Sequence, residues 1–215
     1  MITTSAFKSK GSFFIWILSI YMQDINKEKV AVYIDGSNFY HYLKDKEINY
    51  SKGSGFDFNA FVNFLVGSQR VCVSKRYYTG IFRNIDGSLK SQELIRGQQK
   101  FLSKLDRDGF IIKRGKIIYD NARQRENSTD VKIAVDLVIG AVDDIYDVAI
   151  LISSDTDLIP AVKYVKYRSK KMEYVGFSHA PSFAMIRNSN LTTLLKSEDV
   201  NNFIKNKKQY AGQEN

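Results

Sequence analysis

One cysteine, two prolines and two histidines are all that the 215 residues contain of those types, and each scarcity removes a class of protein. Cys72 stands alone, which excludes an internal disulfide and any cysteine-cluster metal site. With only His41 and His179, a histidine-rich zinc centre is excluded as well. A metal here needs oxygen ligands, which favours Mg²⁺ or Mn²⁺. Scarce proline leaves no Pro-rich linker, and no internal repeat is visible. The length fits one domain with room for a substantial core. Aromatics are plentiful, with 13 Tyr and 14 Phe beside a single Trp.

Charge is uneven. Lysine and arginine outnumber aspartate and glutamate 32 to 23, a net charge of +9. Residues 70–125 carry 14 Lys/Arg against 5 Asp/Glu, and residues 161–210 carry 10 against 3. Between them, residues 130–157 hold 7 Asp and one Lys. An acidic knot thus sits inside a basic chain. Such a basic surface suits a polyanion through phosphate contacts, or serves only as a solvated, lysine-rich exterior.

The N-terminus differs from the rest. The run SFFIWILSIYM, residues 12–22, follows Lys8 and Lys10. It is shorter than the ~20 residues a membrane-spanning helix needs, and no small-x-small cleavage site follows it. Met22 has the look of an ordinary cytosolic start. Residues 1–28 are therefore expected to be an extension: outside the fold, packed on it, touching a membrane, or an uncleaved signal.

From residue 29 strands and helices alternate. Strands are expected at 29–35, 70–82, 147–154 and 171–177, the last of the sheet, with a strand or hairpin at 110–120. Helices are expected at 37–46, 57–67, 89–109, 129–144 and 158–170, read from apolar spacings of three and four. The helix at 129–144 is aliphatic nearly all round, which predicts deep packing. This order predicts an α/β fold: a central parallel sheet with helices on both faces. Sites in such sheets form beyond the carboxyl ends of the strands.

Carboxylates collect at that edge. Asp35 closes the first strand in YIDGSNF, Asp155 and Asp157 follow the fourth in ILISSDTDLIP, and Asp130 opens the apolar helix. Together they would repel one another by several kcal/mol unless a cation sat among them. A Mg²⁺ or Mn²⁺ ion suits oxygen-only ligation and keeps waters that become nucleophiles. Each acid also has a plain structural alternative. Asp130 and Asp157 suit helix caps, and Asp35 suits a turn with Gly36. Asp136 lies six residues past Asp130, ~9 Å further along and ~120° round an ideal helix. A supporting or structural role fits it better than ligation beside Asp130. No G-x-G-x-x-G follows the first strand, which argues against a dinucleotide fold.

The blocks VAVYIDGSNFY, STDVKIAVDLVIGA and YDVAILISSDTDLIPAVKYVK, in this order, resemble the NYN domain, a branch of the PIN-like ribonuclease superfamily. The resemblance implies a PIN-like three-layer sandwich, over residues 29–190, that cuts RNA at an acidic Mg²⁺ or Mn²⁺ site. Residues 191–215 are left as a C-terminal helix and basic tail. By position it implies Asp35, Asp130, Asp155 and Asp157 as catalytic metal ligands, supported by Asn38, Ser153 and Asp136. The basic loop NARQRENS stands where some relatives have a short glycine turn.

Arg123, Arg125, Lys132, Lys163, Lys166 and Arg168 are then candidates to hold flanking RNA phosphates. Tyr77, Tyr78 and Tyr164 are candidates to stack on bases, or else belong to the core or its rim. RNA is the expected partner, with no small-molecule cofactor, no stable membrane insertion, a cytoplasmic location and room for a homodimer. The alternative is a non-catalytic RNA-binding or adaptor protein that keeps the fold.

Overall fold

The computed structural model describes residues 27–44, 46–48, 50, 55–81, 87–120, 123–127 and 129–205, except for the side chains of 116–127. The strands of the main sheet are β1 (Lys29–Asp35), β2 (Val71–Gly80), β3 (Ile111–Asp120), β4 (Arg123–Asn127), β5 (Val148–Ile152), β6 (Lys171–Phe177) and β7 (Leu191–Leu195). They form one sheet in the order β4-β3-β2-β1-β5-β6-β7. Neighbours run parallel, except β3 and β4, which pair antiparallel. The interleaved helices are α1 (Gly36–Leu43), α2 (Phe58–Val66), α3 (Leu89–Arg107), α4 (Thr129–Val142), α5 (Ile159–Tyr167), α6 (Phe183–Asn188) and α7 (Ser197–Asn201).

Alternation along β1 divides the core. Val30, Val32 and Ile34 point into one cluster, which also takes Phe39, Phe61 and Leu105 from α1, α2 and α3. Ala31 and Tyr33 point to the other, which takes Leu137, Val162 and Met185 from α4, α5 and α6. Side chains of successive strand residues face opposite ways, so a central strand buried throughout has to be apolar on both faces. The result is the expected three-layer sandwich.

The sheet extends further than the sequence suggests at both ends. β6 is not the last strand. Leu191–Leu195 adds β7 in parallel, Glu173 opposite Leu191 and Phe177 opposite Leu195. The stretch expected to be a helix and tail after residue 190 thus opens with a sheet strand. At the other end, β3 pairs with β2 only as far as Gly115, level with Gly80. Lys116–Asp120 then continue past the sheet edge and pair with β4. The basic stretch expected to be a loop is therefore largely a strand, and the hairpin projects roughly 16 Å at the ordinary rise per residue.

The deep packing expected of α4 holds on one side only. Ile133, Leu137 and Ala141 are buried, but Val131, Val135, Ile139 and Val142 are exposed. The reason is its place in the layer. α4 packs on α5 and on β1, β2 and β3, and the described residues leave its outer face uncovered.

Candidate active site

Four short hydrogen-bonded steps build the carboxyl edge of the sheet. Asp35 ends β1 and caps α1, its Oδ1 accepting from the Asn38 backbone N–H at 3.1 Å. Its other oxygen, Oδ2, accepts from the Ser153 hydroxyl at 2.9 Å. Ser153 Oγ in turn accepts from the Asp155 N–H at 3.2 Å. One buried hydroxyl thus ties the Asp35 carboxylate to the backbone of Asp155. Asn38 closes the ring, its side-chain oxygen accepting from the Ser154 N–H at 3.2 Å.

The sharp turn after β1 depends on Gly36. A Cβ there would lie 2.5 Å from the Tyr77 ring. That ring is held by edge contacts with Phe58 and Phe101, so it has no room to yield. Asp35, one residue before it, is only 5 % exposed.

Beyond β5, Asp155 caps the 3-10 turn Thr156–Leu158, its Oδ1 accepting from the Asp157 N–H at 2.9 Å. Asp157 itself is exposed on that turn. Pro160 follows in the first turn of α5, where a missing N–H costs nothing. Asp130 occupies the first turn of α4, and α4 packs against the 3-10 turn. The caps are thus Asp35 and Asp155, whereas Asp130 and Asp157, the acids expected as alternative caps, lie inside the first turn of α4 and inside the 3-10 turn.

Three residues that sequence reasoning missed line the same edge. Ser154 Oγ and the Tyr174 hydroxyl lie 2.6 Å apart, and the Tyr174 hydroxyl also accepts from the Ser182 N–H. Tyr42 stacks on Phe177 at 4.3 Å. Burial pushes its phenol above the ordinary range, against an opposing hydrogen bond with Ser154. Ser154 stood inside the SSD run, but its partners come from β6 and α1, which no local pattern joins.

Asp136 belongs to a different network, on the layer of α4. Its carboxylate accepts from the Tyr78 hydroxyl at 2.7 Å and pairs with Arg76 and Lys113, each at 3.2 Å. Arg76 also lies over the Tyr33 ring. Burial pushes the Tyr33, Tyr78 and Tyr146 phenols well above their ordinary range, so they stay neutral. The partner that a carboxylate in so apolar a helix needs is this trio of donors.

The expected phosphate-binding cations are dispersed. Lys132 Nζ donates to the Arg114 carbonyl at 2.5 Å, and Lys166 Nζ to the Asn188 carbonyl at 2.9 Å. Lys163 is exposed midway along α5, whereas Arg168 caps its far end, ~7.5 Å further along the axis over five residues. Arg123 and Arg125 lie on the projecting hairpin opposite Asp120 and Ile118, with side chains outside the described residues. Of the three tyrosines expected to stack on bases, Tyr77 and Tyr78 are core residues and Tyr164 is exposed.

The donors at this edge are carboxylate, hydroxyl and amide oxygens, the kind a hard divalent cation takes. Among the described residues, however, no group of three or more His, Cys, Asp or Glu side chains is placed to hold a metal ion. The donor chemistry fits, and the acids stand as a linked pair with two neighbours.

The NYN domain model matches residues 29–195. The crystal structure of a protein of unknown function from Vibrio parahaemolyticus is similar, with a TM-score of 0.59 and 25 % identity. The match covers 79 % of this chain and 93 % of that one. No curated protein matches the chain. Among the described residues, no helix is long and apolar enough to cross a membrane.

Proposed function

The chain belongs to the NYN-domain family, within the PIN-like superfamily, and from that premise we propose that it is a divalent-metal-dependent endoribonuclease. It would hydrolyse phosphodiester bonds of single-stranded or structured RNA at the carboxyl edge of the sheet. One observation carries this proposal: the buried Asp35 carboxylate is held by Ser153, which also fixes the start of the Asp155 turn. A buried, oriented carboxylate beside a second acid is the arrangement on which cation-assisted hydrolysis depends.

Asp35 and Asp155 would hold the cation, Mg²⁺ or Mn²⁺, with Asp130 in the first turn of α4 as a further ligand. Bound there, such an ion supplies an acidified water and offsets the charge of a phosphodiester. The protein's own part is positional. Ser153 prevents the Asp35 carboxylate from rotating, and Asn38 locks the first turn of α1 onto the β5 exit. Asp157, exposed one turn beyond, is free to accept a proton from water or to hold a second ion. Lys163 and Lys132 are the cations best sited to receive flanking phosphates. Arg123 and Arg125 would add to them from the hairpin. Lys166 and Arg168 lie further down α5 and would contribute less.

A second reading has its own observation. The two central acids already serve as caps, and no trio is gathered among the described residues, as suits an RNA-binding adaptor that keeps the fold without the reaction. Incubation with mixed single-stranded and hairpin RNA in Mg²⁺, Mn²⁺ or EDTA separates the two. Cleavage that EDTA and Asp35→Asn both abolish supports the nuclease. Tight binding without cleavage under any metal selects the adaptor.

A further inference from the structure

The outer face of α4 is apolar where a solvent-facing helix surface is ordinarily polar. Val131, Val135, Ile139 and Val142 are 62 %, 47 %, 46 % and 45 % exposed. Their spacing of four, four and three gathers them into one stripe, on the side opposite the buried Ile133 and Leu137. An indentation of about 230 Å³ at the upper end of the stripe is lined by Val131 and Val135 together with Lys113, Lys132 and Asp136. A helix hydrophobic on all sides belongs in an interior, so this face calls for a cover.

The chain itself offers one, and its length fits. Residues 12–22 read SFFIWILSIYM, with nine large apolar side chains among eleven residues and no charge. The start of β1 lies beside the lower end of α4. The Lys29 N–H donates to Asp147 Oδ2 at 2.8 Å, and the Asp147 N–H donates to the Lys29 carbonyl. The Tyr146 hydroxyl, one residue earlier, reaches back to the Leu137 carbonyl of α4. Residues 27 and 28 are placed, the Glu28 carbonyl accepting from the Val71 N–H, and four residues, 23–26, then connect to the apolar run and span up to ~14 Å when extended. The stripe from Val131 to Val142 is ~16 Å long, and eleven residues in helical form also span ~16 Å.

We propose that residues 12–22 fold back along α4 of the same chain and cover this stripe, making the N-terminal extension part of the domain's second helical layer. A second copy is the weaker occupant. Four half-exposed aliphatic side chains amount to on the order of a few hundred Å², short of the ~800 Å² per partner that a stable interface buries. A bilayer is weaker still, because the run is too short to span it.

The only tryptophan, Trp16, lies in the middle of the run and reports on its surroundings without labelling. In the full-length protein at low concentration, Trp16 emission should be blue-shifted from that of free indole, and acrylamide quenching several-fold weaker. Val135→Asp and Ile139→Lys, both at exposed positions the fold tolerates, should each return emission and quenching toward the free indole. Leu94→Asp, an exposed leucine on the opposite layer, should not. The proposal is overturned if wild-type Trp16 behaves as free indole. It is equally overturned if the stripe variants leave Trp16 shielded. Shielding lost on dilution together with dissociation of a dimer, followed by light scattering, assigns the stripe to a second copy. Shielding that appears only with phosphatidylcholine vesicles assigns the run to lipid.

Discussion

Replacing Asp136 with alanine tests whether that carboxylate holds the fold or takes part in the chemistry. It sits among Tyr78, Arg76 and Lys113, and the Arg76 and Asp136 side chains are only 12 % and 14 % exposed. Removing the acid strands a nearly buried guanidinium, a loss of ~3–5 kcal/mol. Lys113 is one-third exposed and re-solvates, so it adds little. For a domain of this size the melting temperature should fall by roughly 6–20 °C. Tyr78→Phe removes only a hydrogen bond to a charged group and should cost about 1.5–3 kcal/mol. Because both changes strike the same contact, the double variant should lose clearly less than the sum. Asp136→Asn keeps an acceptor for Tyr78 and should fall between. Calorimetric melts of the wild type and the four variants, beside RNA-cleavage rates below the transition, give the answer. A variant that melts within about 1 kcal/mol of wild type yet has lost all cleavage would refute the structural assignment and move Asp136 into the catalytic group.

Other consequences are simpler to check. Asp155→Asn retains a capping oxygen, so the metal-free protein should melt within about 0.5 kcal/mol of wild type; the Mn²⁺-induced rise of the wild-type melting point should vanish in the variant. A rise that persists in the variant removes Asp155 from the ligands. Lys163→Ala should weaken RNA binding and flatten its salt dependence, while Arg168→Ala at the far end of α5 should change both less, as titrations at several salt concentrations will show. Burial pushes the Cys72 thiol up, against a weaker pull from Lys75. Its alkylation by iodoacetamide should therefore be slow at neutral pH and accelerate only above the usual thiol range. A rate at neutral pH equal to that of the urea-unfolded chain would contradict this.

Some of this structure is written locally and some is not. β1 and β5 are continuous aliphatic runs, and such runs ending in an acid identify both a buried strand and the edge where it stops. Asp35 and Asp155 were legible for that reason, and so was the sandwich. β4 was not, because RQREN has no apolar alternation; its pairing comes from β3. β7, LTTLL, is half polar as edge strands are, and its partner is β6. The Asp136 network was hidden in another way. A carboxylate on α4 meets donors from β2 and β3, residues far apart in sequence that only the sheet register brings together. Exposure of the outer face of α4 was likewise invisible, since periodicity reports that a helix is apolar but not what lies against it.

The clash built into Gly36 and Tyr77 has a consequence for the protein's history. A side chain at position 36 meets the Tyr77 ring at 2.5 Å, so the two positions cannot drift independently. Any lineage that enlarges residue 36 must first, or at the same step, shrink residue 77. The cost of doing so is a hole among Phe58 and Phe101, which a third substitution must then fill. Such a path crosses poorly folded intermediates. Glycine at 36 and a large ring at 77 should therefore be lost together or kept together wherever this strand-to-helix junction persists, and a sequence that breaks the pairing marks a descendant in which Asp35 has been repositioned.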